Sequence, residues 1–192
     1  MPDPLLSIFA RWPEPGAAKT RLIPDFGPEG AAAIYRKLLA HTVEVARASG
    51  VAFELRVTGA EPQDFRARLG EDLAVVPQGE GDLSAKLARV EPPAIVIGSD
   101  CPGLTPTVLR AARDTLREEA MVVGPASDGG YYLLGYREDA RFAFEDMAWS
   151  TDTVFAETVR RFAERGIRPA VLPELDDIDT AADLERWPDF LP

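Results

Sequence analysis

One cysteine and one histidine are all that this chain of 192 residues contains, and each scarcity removes a class of chemistry. Cys101 alone excludes any intramolecular disulfide. With no basic partner evident beside Pro102, it reads as a small buried residue rather than a reactive thiol. His41 falls seven residues after Ile34, on the apolar face of a helical pattern, where packing is its simplest role. A Ser-His-Asp triad would have to use it, so nucleophilic catalysis finds little support. No apolar run approaches the roughly 20 residues needed to span a bilayer, and the opening Met1–Pro2–Asp3–Pro4 carries no charged segment followed by an apolar one. No membrane partner is expected, and the cytoplasm is the expected compartment. Positive charge is scarce too: 21 Lys and Arg face 32 Asp and Glu, a net charge of −11 that opposes binding to nucleic-acid phosphates. A small phosphorylated ligand stays open, because a few local cations or a divalent metal reverse the potential at one site. The Walker pattern and the GxGxxG pattern are both absent, which speaks against a P-loop NTPase and a Rossmann dehydrogenase.

The length and an apolar fraction of 46% allow one substantial core, so residues 1–192 are expected to form a single domain. No linker, repeat or low-complexity segment interrupts them. Strand-like runs at Leu5–Phe9, Val51–Val57, Leu73–Val76, Ile95–Ile97, Met121–Val123, Tyr131–Tyr136 and Pro169–Leu172 alternate with helical patterns. Those patterns cover Pro28–Ser49, a short segment around Phe65 and Leu69, Leu83–Val90, Thr105–Glu119 and Ser150–Arg165. This rhythm predicts an α/β fold with a mostly parallel sheet covered on both faces.

The run Ile95–Val96–Ile97–Gly98–Ser99–Asp100–Cys101–Pro102 ends a buried strand abruptly in a carboxylate. Ligands of open α/β sheets bind beyond the carboxyl ends of strands, so Asp100 is the first candidate for a site. It could instead cap the next helix, but Thr105 before Pro106 already offers a hydroxyl for that purpose. The loop Arg11–Leu22 after the first strand gathers Arg11, Lys19 and Arg21 around a Pro- and Gly-rich turn. Its amides and cations suit phosphate oxygens, or simply pair with nearby acids. In Asp176–Thr180, residues i and i+2 of an extended chain point the same way, so Asp177 and Asp179 present two carboxylates to one side. With Asp100 they would suit Mg2+ or Mn2+, a metal able to neutralise a leaving diphosphate. Thr180 with Asp183 also reads as a capping box, and both roles are compatible. Asp128–Gly129–Gly130 is a hairpin turn on the simplest reading, and it would also let a substrate approach backbone amides. Ser150 reads as a helix N-cap whose helix could receive an anion.

These segments occur in a recognisable order: PEPGAAKTRL, Gly81–Asp82–Leu83, SDCP, GPASDGGYYLLG, DMAWST and DIDTAADL. The chain resembles the DUF2064 family of small bacterial proteins with a GT-A fold, in the nucleotide-diphospho-sugar transferase superfamily. The family is also similar to 2-phospho-lactate guanylyltransferases and, more distantly, to molybdopterin guanylyltransferases. The resemblance implies a single-domain, Rossmann-like three-layer α/β/α sandwich with a mixed, mostly parallel sheet. It further implies that Ala10, Arg11, Lys19, Arg21 and Asp82 meet a nucleotide, that Asp100, Asp177 and Asp179 meet a metal, and that Asp128, Gly129 and Gly130 line the acceptor side. Three departures stand out: the PEPG loop replaces the Gly-rich nucleotide loop of the molybdopterin guanylyltransferases, Ser84 replaces the glycine that usually follows Gly-Asp-Leu, and the SDCP segment lacks an Asp-x-Asp. The expected activity is metal-dependent transfer of a sugar from a nucleotide-diphospho-sugar to a small-molecule acceptor, with Lys19, Asp100 and Asp128 as the catalytic side chains. The alternatives are condensation of an NTP with a phosphorylated small molecule, and nucleotide binding without turnover.

Overall fold

The computed structural model describes residues 2–192. Among them seven strands form one sheet: β1 (Leu5–Arg11), β2 (Phe53–Thr58), β3 (Val75–Pro77), β4 (Ala94–Ile97), β5 (Met121–Pro125), β6 (Tyr131–Tyr136) and β7 (Ala170–Val171). Their spatial order is β3-β2-β1-β4-β6-β5-β7. All neighbouring pairs run parallel except those made by β6, which lies antiparallel between β4 and β5. The sheet is therefore mostly parallel, as the alternation of strand and helix predicts, and mixed, as the resemblance implies.

Among the described residues six α-helices cover it: α1 (Ile23–Ser49), α2 (Pro62–Leu69), α3 (Leu83–Leu87), α4 (Pro106–Thr115), α5 (Val154–Ala163) and α6 (Ala181–Leu184). Alternate strand residues point to opposite faces. Leu6, Ile8, Ala10, Ile95 and Ile97 pack with Leu39 and Val43 of α1, Phe65 of α2 and Leu109 of α4. Phe9, Ala94, Val96, Met121 and Val123 turn the other way, toward Leu87 of α3 and Phe162 of α5. Both faces of β4 are thus buried, which is why Ala94–Ile97 reads as an unbroken apolar run. Each aliphatic side chain buried so contributes about 1.5–3 kcal/mol relative to an exposed one.

Some element ends differ from the expected ones. The helix expected to start at Pro28 starts at Ile23, is interrupted at Gly27 (φ 69°, ψ 170°), and resumes with Pro28 in its first turn. Thr105 caps α4 as expected, accepting from the Val108 amide, and α4 stops at Thr115 rather than Glu119. Ser150 is not an N-cap: it takes a left-handed φ of 62°, and α5 begins four residues later.

Along the chain, β1, β2 and β3 proceed toward one edge, and β4 then returns to the other side of β1. The order reverses between β1 and β4, so their carboxyl ends open a crevice of the kind where such sheets bind ligands. The loop after β1 carries Lys19, and the loop after β4 carries Asp100.

Candidate active site

Lys19 is set by the loop that follows β1. It adopts a left-handed conformation (φ 46°) at the start of a short 3-10 turn, Thr20–Leu22, and Leu22 anchors that turn in the core. The Lys19 side chain lies inward, only 8% exposed. Its ammonium donates to Asp100 Oδ2 at 2.9 Å and to Asp179 Oδ1 at 2.8 Å. Arg21 donates to the other oxygen of Asp179 at 2.8 Å from a largely exposed position. Burial alone would lower the Lys19 pKa, but the Asp100 and Asp179 carboxylates outweigh it and hold the ammonium well above its ordinary value.

The late acids reach this point through backbone pairing. The Leu175 amide donates to Pro125 and the Ser127 amide to Leu175, so the chain after β7 runs along the end of β5. The Ile178 amide then donates to the Asp100 carbonyl at 3.1 Å, joining two segments that are remote in sequence. Ile178 is fully buried among Leu22, Ile34, Leu38 and Leu184. Asp183 closes the expected capping box with Thr180 at the start of α6. The neighbouring Asp176 takes no part in the cleft ion pairs, because Ser127 and Arg186 hold its two oxygens.

Asp177 is the unusual member. Its Oδ1 is shut off from solvent and has no hydrogen-bond partner. Burial, followed by the negative charge of Asp100, pushes its carboxyl up to about 8, with Lys19 opposing and Asp128 and Asp179 adding to the rise. Asp128 sits in the turn between β5 and β6, where its Oδ1 accepts from the Gly130 amide at 2.8 Å. The turn reading and proximity to the other acids therefore both hold for this residue. Gly129 closes against the segment before α5: its φ is 88°, and an added Cβ would lie 2.2 Å from the Asp152 carbonyl oxygen.

A cleft of about 490 Å3 opens over these groups, lined by Arg11, Lys19, Arg21, Asp100, Asp128 and Asp179, among others. A hollow of about 300 Å3 lies alongside, with Ala10, Thr58, Gln78, Lys86 and Ser99 in its wall. Arg11 belongs to both, and its Nη1 donates to the Ala17 carbonyl at 3.2 Å. Ala10 is buried in β1, and its carbonyl accepts from Gln78 Nε2 at 3.1 Å. Asp82 borders neither space; its carboxylate caps α3 by accepting from the Ala85 amide at 2.9 Å.

Three further residues shape the site without any local sequence signal. The Tyr35 hydroxyl, from α1, pairs with Ser99 Oγ at 2.7 Å and accepts from the Arg11 amide at 3.0 Å. Gln78 ties the end of β1 to Arg56 of β2. Trp149 donates its indole N–H to Ser84 Oγ at 2.8 Å, and Ser84 donates onward to the Phe144 carbonyl at 2.6 Å. Cys101, as expected, is buried, and that burial raises its thiol pKa far from the reactive range.

The fit to a divalent cation can be judged from the donors. Among the described residues no three Cys, His, Asp or Glu side chains are grouped as a complete cage. Mg2+ and Mn2+ do not need one, since one or two carboxylates with water and substrate phosphates suffice for such hard ions. Asp100 and Asp177 fit that need, because Asp177 Oδ1 is a buried oxygen lacking a partner beside a second carboxylate. Asp179 is differently employed, with both oxygens taken by Lys19 and Arg21.

Comparison with known proteins gives a consistent setting. Residues 41–151, more than half of the chain, match the family described as "Uncharacterized protein conserved in bacteria (DUF2064)". A search of curated proteins gives no match. Among solved structures, a protein of Desulfovibrio desulfuricans G20 described as a candidate nucleotide-diphospho-sugar transferase is 26% identical, with a TM-score of 0.86 over 94% of this chain and 84% of that one. A nucleotidyl transferase from Methanothermobacter thermautotrophicus is 18% identical, with a TM-score of 0.62 over 98% and 97%. Rv0371c of Mycobacterium tuberculosis H37Rv, in complex with manganese, is 22% identical, with a TM-score of 0.50 over 95% and 97%.

Proposed function

Because the chain belongs to the DUF2064 family, whose description assigns no reaction, we propose from the site itself that it is a transferase that binds a nucleotide diphosphate group between Lys19, Arg11 and Arg21. Transfer runs from a nucleotide-diphospho-sugar to a small-molecule acceptor. The observation that carries this reading is the buried Lys19 ammonium, held between Asp100 and Asp179 where the strand order reverses. A cation fixed there has no need of a ligand to be satisfied, yet it lies in the wall of an open cleft with two further guanidinium groups. That arrangement suits a diphosphate that gains negative charge as its bond to the sugar breaks. The likeness to the Desulfovibrio desulfuricans protein supports the donor class.

In this reading the nucleoside lies over the hollow beside Ala10, Gln78 and Ser99, and the diphosphate turns into the main cleft toward Lys19 and Arg21. Asp100 and Asp177 would hold Mg2+ or Mn2+, which when bound supplies neutralisation of the departing diphosphate. The manganese complex of Rv0371c supports that choice of ion. Asp128 keeps one carboxylate oxygen clear of its bond to Gly130. That oxygen orients the acceptor hydroxyl and receives its proton as the acceptor oxygen bonds to the anomeric carbon and the nucleoside diphosphate leaves. Positioning and charge do most of the work, with no covalent intermediate on the protein.

A second reading is nucleotidyl transfer, in which an acceptor phosphate attacks an NTP and pyrophosphate leaves. The likeness to the Methanothermobacter thermautotrophicus nucleotidyl transferase favours it, and the same cations would serve. Calorimetric titration with UDP-sugars, GDP-sugars and NTPs, each with Mg2+, Mn2+ or EDTA, separates the two. Metal-dependent preference for a nucleotide sugar supports the first, and preference for an NTP with pyrophosphate release supports the second. Binding of none of them would overturn both.

A further inference from the structure

Beside the acidic cleft is a third hollow, about 270 Å3 in volume, whose character is opposite. Its walls are formed by Phe9, Leu87, Val96, Tyr131, Trp149 and Val154, from strands β1, β4 and β6, helices α3 and α5, and the segment before α5. The two spaces meet at Asp128, Ser150 and Thr151, which line both, and Asp177 lines the apolar one. An apolar chamber thus opens directly onto the carboxylates.

The chamber is built rather than incidental. Trp149 forms its outer wall and is held by the hydrogen bond to Ser84. Asp146 and Ser150, on either side of Trp149, both adopt left-handed backbone that ordinary residues seldom take, at φ 48° and 62°. The Phe155 amide donates to the Gly129 carbonyl at 2.9 Å, tying this segment to the turn that carries Asp128. The walls are therefore held in place by bonds within the chain itself, in keeping with the largely pre-formed character of small-molecule pockets.

We propose, resting on the transferase reading above, that this chamber receives the body of the acceptor, and that the acceptor is a small alcohol with an apolar aliphatic or aromatic body. Its hydroxyl lies at the junction by Asp128, and its carbon skeleton lies against Phe9, Val96, Trp149 and Val154. A sugar or other polyol is a poor occupant, since each hydroxyl facing those side chains would lose its water and gain no partner.

The test is a saturation-transfer NMR titration of the full chain, without nucleotide, using benzyl alcohol and 1-hexanol against glycerol and myo-inositol. The apolar alcohols should bind at least ten-fold more tightly than the polyols. Val154→Phe, which fills the chamber, should weaken their binding at least ten-fold; should that variant fold poorly, Trp149→Ala, which removes the wall, gives the same readout. Polyols binding as well as the apolar alcohols, or apolar binding unaltered in both variants, would overturn the proposal. Because the titration contains no nucleotide, its failure leaves the transferase reading standing. Conversely, failure of every nucleotide to bind leaves the result in the chamber legible.

Discussion

Replacing Lys19 with Met keeps much of the side chain's length, removes its charge, and should move two affinities in opposite directions. In the wild type the ammonium contacts Asp100 at 2.9 Å and Asp179 at 2.8 Å. Two unit charges about 4 Å apart interact by about 4 kcal/mol at an effective dielectric constant of about 20. Those carboxylates are 36% and 37% exposed, so screening by water brings each pair to about 1 kcal/mol. The variant should therefore lose about 2 kcal/mol of stability, or about 4–8 °C in Tm for a chain of this size. Losing a charged hydrogen bond to a phosphate costs about 1.5–3 kcal/mol, so nucleotide affinity should fall about 10- to 150-fold. Affinity for Mn2+ without nucleotide should rise instead, because Asp100 is no longer neutralised by an ammonium. Calorimetry with the preferred nucleotide and electron paramagnetic resonance of free Mn2+ read the two effects separately. Nucleotide affinity within two-fold of wild type, or weaker Mn2+ binding in the variant, would refute the roles given to Lys19 and Asp100.

Asp177 carries a pH signature in the metal-free protein. Its carboxyl is raised from an ordinary 3.8 to about 8, so the folded chain binds this proton more tightly than the unfolded one. Its contribution is fully present below about pH 4 and is lost as pH rises through about 8, by at most about 1.4 kcal/mol per pH unit. Urea unfolding in EDTA should show that decline, and Asp177→Asn should flatten it; an unaltered pH profile in the variant would refute the assignment. Gly129→Ala combines a strained φ with a contact at 2.2 Å to the Asp152 carbonyl, whereas Gly16→Ala has a similar φ and nothing within 4 Å. The first should cost more than about 2 kcal/mol and the second about 1 kcal/mol in denaturant unfolding, in that order. Tyr35→Phe leaves the Arg11 amide without its partner, so about 1–2 kcal/mol of stability should be lost, with weaker nucleotide binding. Unchanged Tm and unchanged affinity would remove Tyr35 from the site.

What could be read from the residues alone follows from how local the cause is. Strand β4 was legible because burial on both faces leaves a continuous apolar run, and the position of Asp100 in the loop three residues past its end followed from that. The capping box at Thr180 and the cap at Thr105 are contained within four residues, and both form. Ser150 failed as a cap because its backbone is left-handed and α5 begins only at Val154, in a segment whose neighbouring Trp149 is held by Ser84, some 65 residues away. Tyr35 sits in a long amphipathic helix, where an aromatic residue reads as core, and only the fold brings its hydroxyl to Ser99. Spacing suggested that Asp177 and Asp179 share a side, but it could not separate their tasks. That division depends on Ile178 pairing with the Asp100 backbone and on Lys19 reaching Asp179 from the other end of the chain.

The charges in the cleft explain why a nucleotide and a divalent cation should depend on each other here. A nucleotide diphosphate arriving alone finds Arg11, Lys19 and Arg21, but it must also approach Asp100, Asp128 and Asp179 across the same space. A cation arriving alone finds those carboxylates, with Lys19 already hydrogen-bonded to two of them. Each ligand relieves the repulsion that the other meets, so each should raise the affinity for its companion, and linkage requires the factor to be the same in both directions. The buried, unpartnered oxygen of Asp177 sharpens this dependence, since its carboxyl must give up a proton before it can face a cation. Nothing else the described residues place near that oxygen satisfies it. A cleft whose carboxylates are paired through Lys19 should thereby admit the two ligands together more readily than either one alone.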